Sequence, residues 1–311
     1  MRRTMLFCLL LVALGTVLAA GDRARAEAAG NRCGDSGRGS ECCCRKEQAV
    51  VIEASKLKEL LETRADVIVL DVRPAQAYRE GHIPGAIHVD VRPWAALARR
   101  ERGLEDRTAW AKLVGHYGIR PDSTVVVYGA PLPYAARVWW LLRYLGVNQV
   151  LMLDGGLQAW RAAGYSLQTE PVVPKAAHFE PKFQKNLLAT ARDVLHAIRA
   201  GDAVVLDVRS EGEYRGVVVR GKRGGHIPKA VHLEWVEFLR ADGRFKSPAE
   251  LRELLTRRGV SLQKPVITYC QSGARASVGV VALQLAGAKA AKNYFGSWAD
   301  WSAREELPVE K

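Results

Sequence analysis

The sequence predicts an α/β protein of two tandem domains, each a doubly wound parallel sheet with helices on both faces. Three observations carry that expectation. The chain has 311 residues, 48% hydrophobic and 25% charged. That ordinary globular composition excludes disordered, collagen-like and coiled-coil classes and leaves room for about two domains of ~150 residues. An internal repeat fills most of the length: Asp71-Val72-Arg73 recurs as Asp207-Val208-Arg209, His82-Ile83-Pro84 as His226-Ile227-Pro228, and Val125-Val126-Val127-Tyr128 as Val266-Ile267-Thr268-Tyr269. Asp154-Gly155-Gly156-Leu157-Gln158-Ala159-Trp160 is answered by Phe295-Gly296-Ser297-Trp298-Ala299-Asp300-Trp301. Within each copy, short apolar runs alternate with amphipathic stretches, as strands alternate with helices around a parallel sheet.

The chain opens on Arg2 and Arg3, an apolar run from Met5 to Ala20, and an Ala24-Arg25-Ala26 cleavage site. This is the layout of a secretory signal peptide over residues 1–26. The run is short for a membrane span, and no later stretch approaches the ~20 apolar residues a span requires. The expectation is an exported protein, periplasmic or secreted, with no stable membrane association after signal cleavage. Residues 27–48 read as a Cys-rich flexible arm, with Cys33, Cys42, Cys43 and Cys44 beside a Gly- and Ser-rich stretch. In an oxidising compartment these four could close two disulfides. A metal site is the lesser alternative, because three adjacent cysteines cannot converge on one ion without backbone strain.

The first copy, residues 49–170, is expected to place strands at 67–71, 124–128 and 150–153, and helices at 55–63, 108–117 and 135–145. Pro171, Pro174 and Pro181 mark residues 171–185 as the linker. The second copy, residues 186–311, is expected to place strands at 203–207, 265–269 and 290–294, and helices at 191–200, 248–258 and 275–286.

Ligands of such sheets sit at the carboxyl ends of the strands, where Asp71, Arg73, Asp207, Arg209 and Cys270 all fall. Cys270-Gln271-Ser272-Gly273-Ala274-Arg275 follows a strand and opens a helix. So short a loop can point successive backbone N–H groups inward, and the helix N-terminus adds positive potential. Together with Arg275, these groups favour a nucleophilic thiolate over a thiol. The bland alternative is a buried structural cysteine, which leaves the Gly and Arg of the turn without a purpose.

That loop, the two Gly-His-Ile-Pro segments (81–84 and 225–228), the two Asp-Val-Arg segments and the closing Gly296-Ser297-Trp298-Ala299-Asp300-Trp301 together resemble the rhodanese family, specifically its tandem-domain sulfurtransferases, over about residues 49–311. The resemblance implies two rhodanese-like domains, with Cys270 carrying a persulfide. Gln271, Ser272, Gly273, Ala274 and Arg275 would surround the substrate. The counterpart of Cys270 in the first copy is Gly129, so that domain is expected to be catalytically silent and to help wall the pocket. The implied reaction moves sulfane sulfur from thiosulfate to cyanide or a thiol, with no metal or organic cofactor. The alternatives are a 3-mercaptopyruvate sulfurtransferase and a persulfide carrier without efficient turnover. Related Cys-based phosphatases use C-x5-R, and the C-x4-R spacing here favours sulfur over phosphoryl transfer.

The sequence also departs from the family pattern. Animal thiosulfate enzymes carry Lys where Ser272 stands, and mercaptopyruvate enzymes carry Gly where Gln271 stands. Gln after the Cys and Arg at the loop's end look most like bacterial thiosulfate enzymes. A substrate-binding Arg of the animal enzymes is replaced by Glu213. An insertion from Val217 to Gly224, absent from the first copy, brings Arg220, Lys222 and Arg223 as candidate replacement charge, against the alternative of a solvated basic loop. Arg209 and Trp298 are further candidates for substrate contact. Asp207 is expected to pair with Arg209 and support the loop. His82 and His226, present in both copies, read as hydrogen-bonded turn residues, and Trp139, Trp140, Trp160 and Trp301 as core.

The net charge is +13. Removal of residues 1–26 leaves 42 Lys and Arg against 32 Asp and Glu, a balance of +10. With no basic helix interleaved with aromatics, this points to a small anionic donor and a thiophilic acceptor, including a protein acceptor, rather than to nucleic acid.

Overall fold

The structure, a computed structural model, describes residues 49–311. The expected signal peptide and the Cys33 to Cys44 arm lie outside the described residues. The first half runs β1 (Val51–Ile52), α1 (Ala54–Thr63), β2 (Val67–Asp71), α2 (Ala75–Arg79), β3 (Ile87–His88), α3 (Val91–Arg99), α4 (Arg107–His116), β4 (Thr124–Tyr128), α5 (Leu132–Tyr144), β5 (Gln149–Leu153) and α6 (Gly156–Ala162). Its sheet is wholly parallel, in the order β1-β5-β4-β2-β3. The second half follows as α7 (Ala191–Ala200), β6 (Val204–Asp207), α8 (Glu211–Tyr214), β7 (Val231–His232), α9 (Pro248–Arg257), β8 (Val266–Tyr269), α10 (Ala274–Leu285), β9 (Ala291–Asn293) and α11 (Ser297–Trp301). Its sheet is also parallel, in the order β7-β6-β8-β9, and a single parallel bridge from Leu188 to Asn293 stands where the first sheet has β1.

The central strands are buried and largely apolar because a parallel sheet is covered on both faces. All five residues of β4 and all four of β8 are buried. Helices α7 and α9 match expectation to within a residue, since both begin with capping boxes, Thr190 with Asp193 and Ser247 with Glu250. Helix α5 starts at Leu132, three residues earlier than expected. Pro133 sits in its first turn, where the missing N–H costs nothing, so a Pro that reads as loop is in fact a helix start.

One apolar core joins the two halves, and each sheet has a smaller core on its other face. Helices α5 and α10 pack on one another within the joint core. Trp140 stacks on Phe295 with ring centroids 5.1 Å apart, and Arg143 donates to Gln284 Oε1 at 2.6 Å. After α6 the chain runs without helix or strand to residue 184. There Lys182 and Gln184 donate their N–H groups to Leu145 and Tyr144, taking carbonyls that the end of α5 would otherwise leave unpaired. Among the described residues no helix is long and apolar enough to cross a membrane.

Candidate active site

Each Asp-Val-Arg segment closes its strand in the same way. Arg209 donates its backbone N–H, Nε and Nη2 to the Asp207 carboxylate at 2.6–3.0 Å, and its Nη2 also reaches the Gly225 carbonyl at 2.8 Å. Arg73 repeats the set with Asp71 and the Gly81 carbonyl. The glycine carbonyl precedes the His of the Gly-His-Ile-Pro turn, so this pair staples the two motifs together. His226 Nδ1 lies 3.0 Å from the Tyr214 carbonyl, and its ring stacks on Tyr214 at 3.7 Å. His82 and Tyr78 do the same in the first half.

Cys270 sits immediately after β8 and is 1% exposed. The carbonyls of the loop that follows are all engaged. Trp298 N donates to Cys270 O at 2.9 Å and Ala299 N to Gln271 O at 3.1 Å. Arg137 Nη2 donates to Ser272 O at 3.1 Å, and Gly273 O accepts from Ser277 Oγ and Asn293 Nδ2. The N–H groups of the loop divide into two sets. Ser297 Oγ accepts two of them, from Cys270 and Gly273, both at 3.1 Å, and lies 3.9 Å from Cys270 Sγ. Those of Gln271 and Ser272 have no acceptor among the described residues. Those of Ala274 and Arg275 belong to the first turn of α10, which has no intrahelical partner for them. This is a backbone nest open to an anion, beside a sulfur at a helix N-terminus.

Gly273 makes the turn possible, with φ at +85° and the Phe295 ring 2.8 Å from where a Cβ would stand. Arg275 is turned to Glu213, its two terminal nitrogens 2.5 and 2.8 Å from the two carboxylate oxygens. Burial works to raise the Glu213 carboxyl, but Arg275 and the Ser210 donors outweigh it and bring it down from 4.5 to about 2. The residue at the missing-Arg position thus orders the loop's own Arg. A carboxyl whose folded value is depressed contributes stability above its unfolded value and loses it as pH falls toward the folded one. The stability gap between the parent and Glu213→Gln should be full above pH 4.5 and close as pH approaches 2. Denaturant titration across that range checks it, and a pH-independent gap would contradict the pairing.

The remaining sequence candidates are spread more widely than expected. Gln271 donates to the Arg220 carbonyl at 3.1 Å, which ties the insertion to the loop. Arg220 lies at the rim, 3.8 Å from Glu213 with 60% of its side chain exposed. Arg209 commits Nε and Nη2 to Asp207 and the Gly225 carbonyl, and its side chain is 1% exposed. Arg223 likewise turns away, donating to the carbonyls of Ser302, Leu307, Trp301 and Arg304 and so fastening the C-terminal segment. Trp298 packs under the Arg209 guanidinium at 4.5 Å, in the core opposite to that of Cys270, and donates its indole N–H to Arg223 O. Among the described residues no three His, Cys, Asp or Glu are placed to hold a metal ion.

Two further side chains, Ser297 and Arg137, make contacts at the loop. Ser297 is fully buried at φ +55°, where its counterpart Gly156 has the same φ. A serine that bears left-handed strain where the other copy uses glycine is a readable signal. Arg137 is one of two arginines in the otherwise apolar α5, is itself among the buried residues of that helix, and comes from the other half of the chain.

The corresponding corner of the first half lacks these parts. A Cβ on Gly129 would meet Val72 Cγ2 at 2.4 Å, and the helix after it opens on Pro131-Leu132-Pro133, two of which have no N–H to offer. Gly129→Cys in a Cys270→Ser background should therefore gain no reactivity and lose about 1–3 kcal/mol of stability through overpacking. Iodoacetamide labelling and denaturant titration test this, and a reactive Cys at 129 would overturn it.

A family model, Rhodanese-like domain, matches residues 53–163 and 190–304. The chain is 34% identical to 3-mercaptopyruvate sulfurtransferase of Escherichia coli K12, over 77% of this chain and 87% of that one. It is 32% identical to thiosulfate sulfurtransferase of Azotobacter vinelandii, over 84% and 97%. The solved wild-type structure of EanB superposes with a TM-score of 0.75 at 25% identity, covering 84% of this chain and 69% of that one.

Proposed function

The chain belongs to the rhodanese family as a tandem sulfurtransferase, and from that membership we propose that it takes the outer sulfur of thiosulfate onto Cys270 and passes it to cyanide or a thiol. The observation that carries this reading is the loop at Cys270, whose carbonyls are all engaged while four N–H groups stay open beside the sulfur. In the first half-reaction the Cys270 thiolate attacks the outer sulfur of thiosulfate. The new S–S bond forms as the bond to the sulfonate sulfur breaks, and sulfite leaves with the electron pair. In the second, cyanide attacks the terminal persulfide sulfur, thiocyanate departs, and Cys270 returns as thiolate. No proton, oxidant or cofactor is needed to balance either step. The free N–H groups of Gln271, Ser272, Ala274 and Arg275 stabilise the anionic sulfur at each stage.

Gln271 after the cysteine favours thiosulfate as donor. The similarity to the Escherichia coli enzyme supports a second reading, 3-mercaptopyruvate, at comparable identity. The two donors are to be compared at saturating cyanide. Thiosulfate is expected to give the higher kcat/KM by at least about tenfold. The opposite order would move the assignment to mercaptopyruvate, and silence with both would leave a persulfide carrier. Export directed by residues 1–26 is part of the same proposal.

A further inference from the structure

We infer that Arg137, contributed by the half that lacks a cysteine, is the cation that receives the anionic end of the sulfur donor at Cys270, so that one active site is built from both halves. This rests on the sulfurtransferase reading and assigns the residue that recognises the donor's sulfonate or carboxylate.

Most cations around the loop already have partners. Arg275 is held bidentate by Glu213, Arg209 is held by Asp207, and Arg223 is spent on four carbonyls. Arg220 is at the exposed rim. Arg137 differs from all of them. It is 6% exposed and has no carboxylate within ion-pair distance among the described residues. One nitrogen, Nη2, donates to Ser272 O at 3.1 Å and lies 3.4 Å from Ser272 Oγ, while Nε is buried with no partner at all. A buried guanidinium stays charged, and a buried charge is expensive unless an anion meets it.

The charged and titratable groups that act on Arg137 are Cys270, Arg99 and Tyr134. Burial lowers the guanidinium's proton affinity and Cys270 foremost counters that, whereas Arg99 adds repulsion. A buried guanidinium beside a thiol, with no carboxylate paired to it, leaves a positive charge that an incoming anion or the ionised sulfur can satisfy. The held Ser272 carbonyl places the guanidinium at the loop whose free N–H groups already form an anion nest. Nη1 makes no hydrogen bond among the described residues, so the planar guanidinium still has a donor edge for the oxygens of a sulfonate or carboxylate.

The test compares alkylation of Cys270 by anionic iodoacetate and neutral iodoacetamide in the parent, Arg137→Met and Arg137→Lys, alongside KM and kcat for thiosulfate. Loosening of the loop would slow both reagents together, so their ratio isolates recognition of charge. In Arg137→Met the ratio of iodoacetate to iodoacetamide rates should fall about tenfold or more, and KM for thiosulfate should rise by a similar factor with a smaller change in kcat. Arg137→Lys should recover most of the ratio. An unchanged ratio in Arg137→Met overturns the inference. If Arg137→Met does not fold, Arg137→Gln makes the same comparison. Alkylation needs no turnover, so a parent without activity would refute the donor reading while the ratio still decides the role of Arg137.

Discussion

Replacing Cys270 by serine is expected to reduce thiocyanate formation from thiosulfate by at least about 10^4-fold while leaving the fold intact. The loop holds its shape without the sulfur. Its carbonyls are engaged by α11, Asn293, Ser277 and Arg137, and two of its N–H groups by Ser297. A hydroxyl at the same place would meet the same donors but stays protonated near neutral pH and forms no persulfide. Cys270 is also the only cysteine among the described residues, so no neighbour there can take over. Residual activity above about one part in a hundred of the parent would place the sulfur-carrying group elsewhere.

The largest loss of stability from a single polar change should come from Asp207→Ala. Asp207 has no exposed surface and Arg209 keeps 1% of its side chain exposed, so removing the carboxylate strands a buried guanidinium. The expected cost is about 3–5 kcal/mol, because the penalty of the unpaired charge is added to the lost hydrogen bonds. The same staple ties the end of β6 to the Gly225 carbonyl, and the turn there would loosen with it. Asp71→Ala should cost less, since Arg73 keeps 11% of its side chain exposed and can be rehydrated. Denaturant titration of both variants checks the order. A loss below about 1 kcal/mol for Asp207→Ala would mean that the pair is not the support described here.

Much of this architecture is legible in the sequence because its periodic signals are unmixed. The apolar runs of β2, β4 and β8 can only be strands covered on both faces, and capping boxes mark where α7 and α9 begin. The two-residue strands β1, β3 and β7 are too short to carry any period, and their pairing is a product of the assembled sheet. The proposed nucleophile is equally legible, as a cysteine between a buried strand and a Gly-bearing helix start. Its surroundings are not. Charge counting at the insertion suggests Arg220, Lys222 and Arg223, but proximity in sequence does not say where a long side chain points, and Arg223 points to the C-terminal carbonyls. Arg137 and Cys270 are 133 positions apart, and only the packing of α5 on α10 brings them to one loop. The readable hints are an arginine in the first half of an otherwise apolar helix and a Ser297 where the other copy has Gly156.

The central claim is that sulfur resides covalently on Cys270 between the two half-reactions. Purified protein is to be incubated with thiosulfate, freed of excess donor, weighed intact by mass spectrometry and mapped by peptide. The account predicts a gain of one sulfur atom on the peptide containing Cys270, lost again on addition of cyanide with release of an equal amount of thiocyanate. A protein that turns over thiosulfate with no sulfur gained at Cys270, or with the sulfur on another residue, would contradict it.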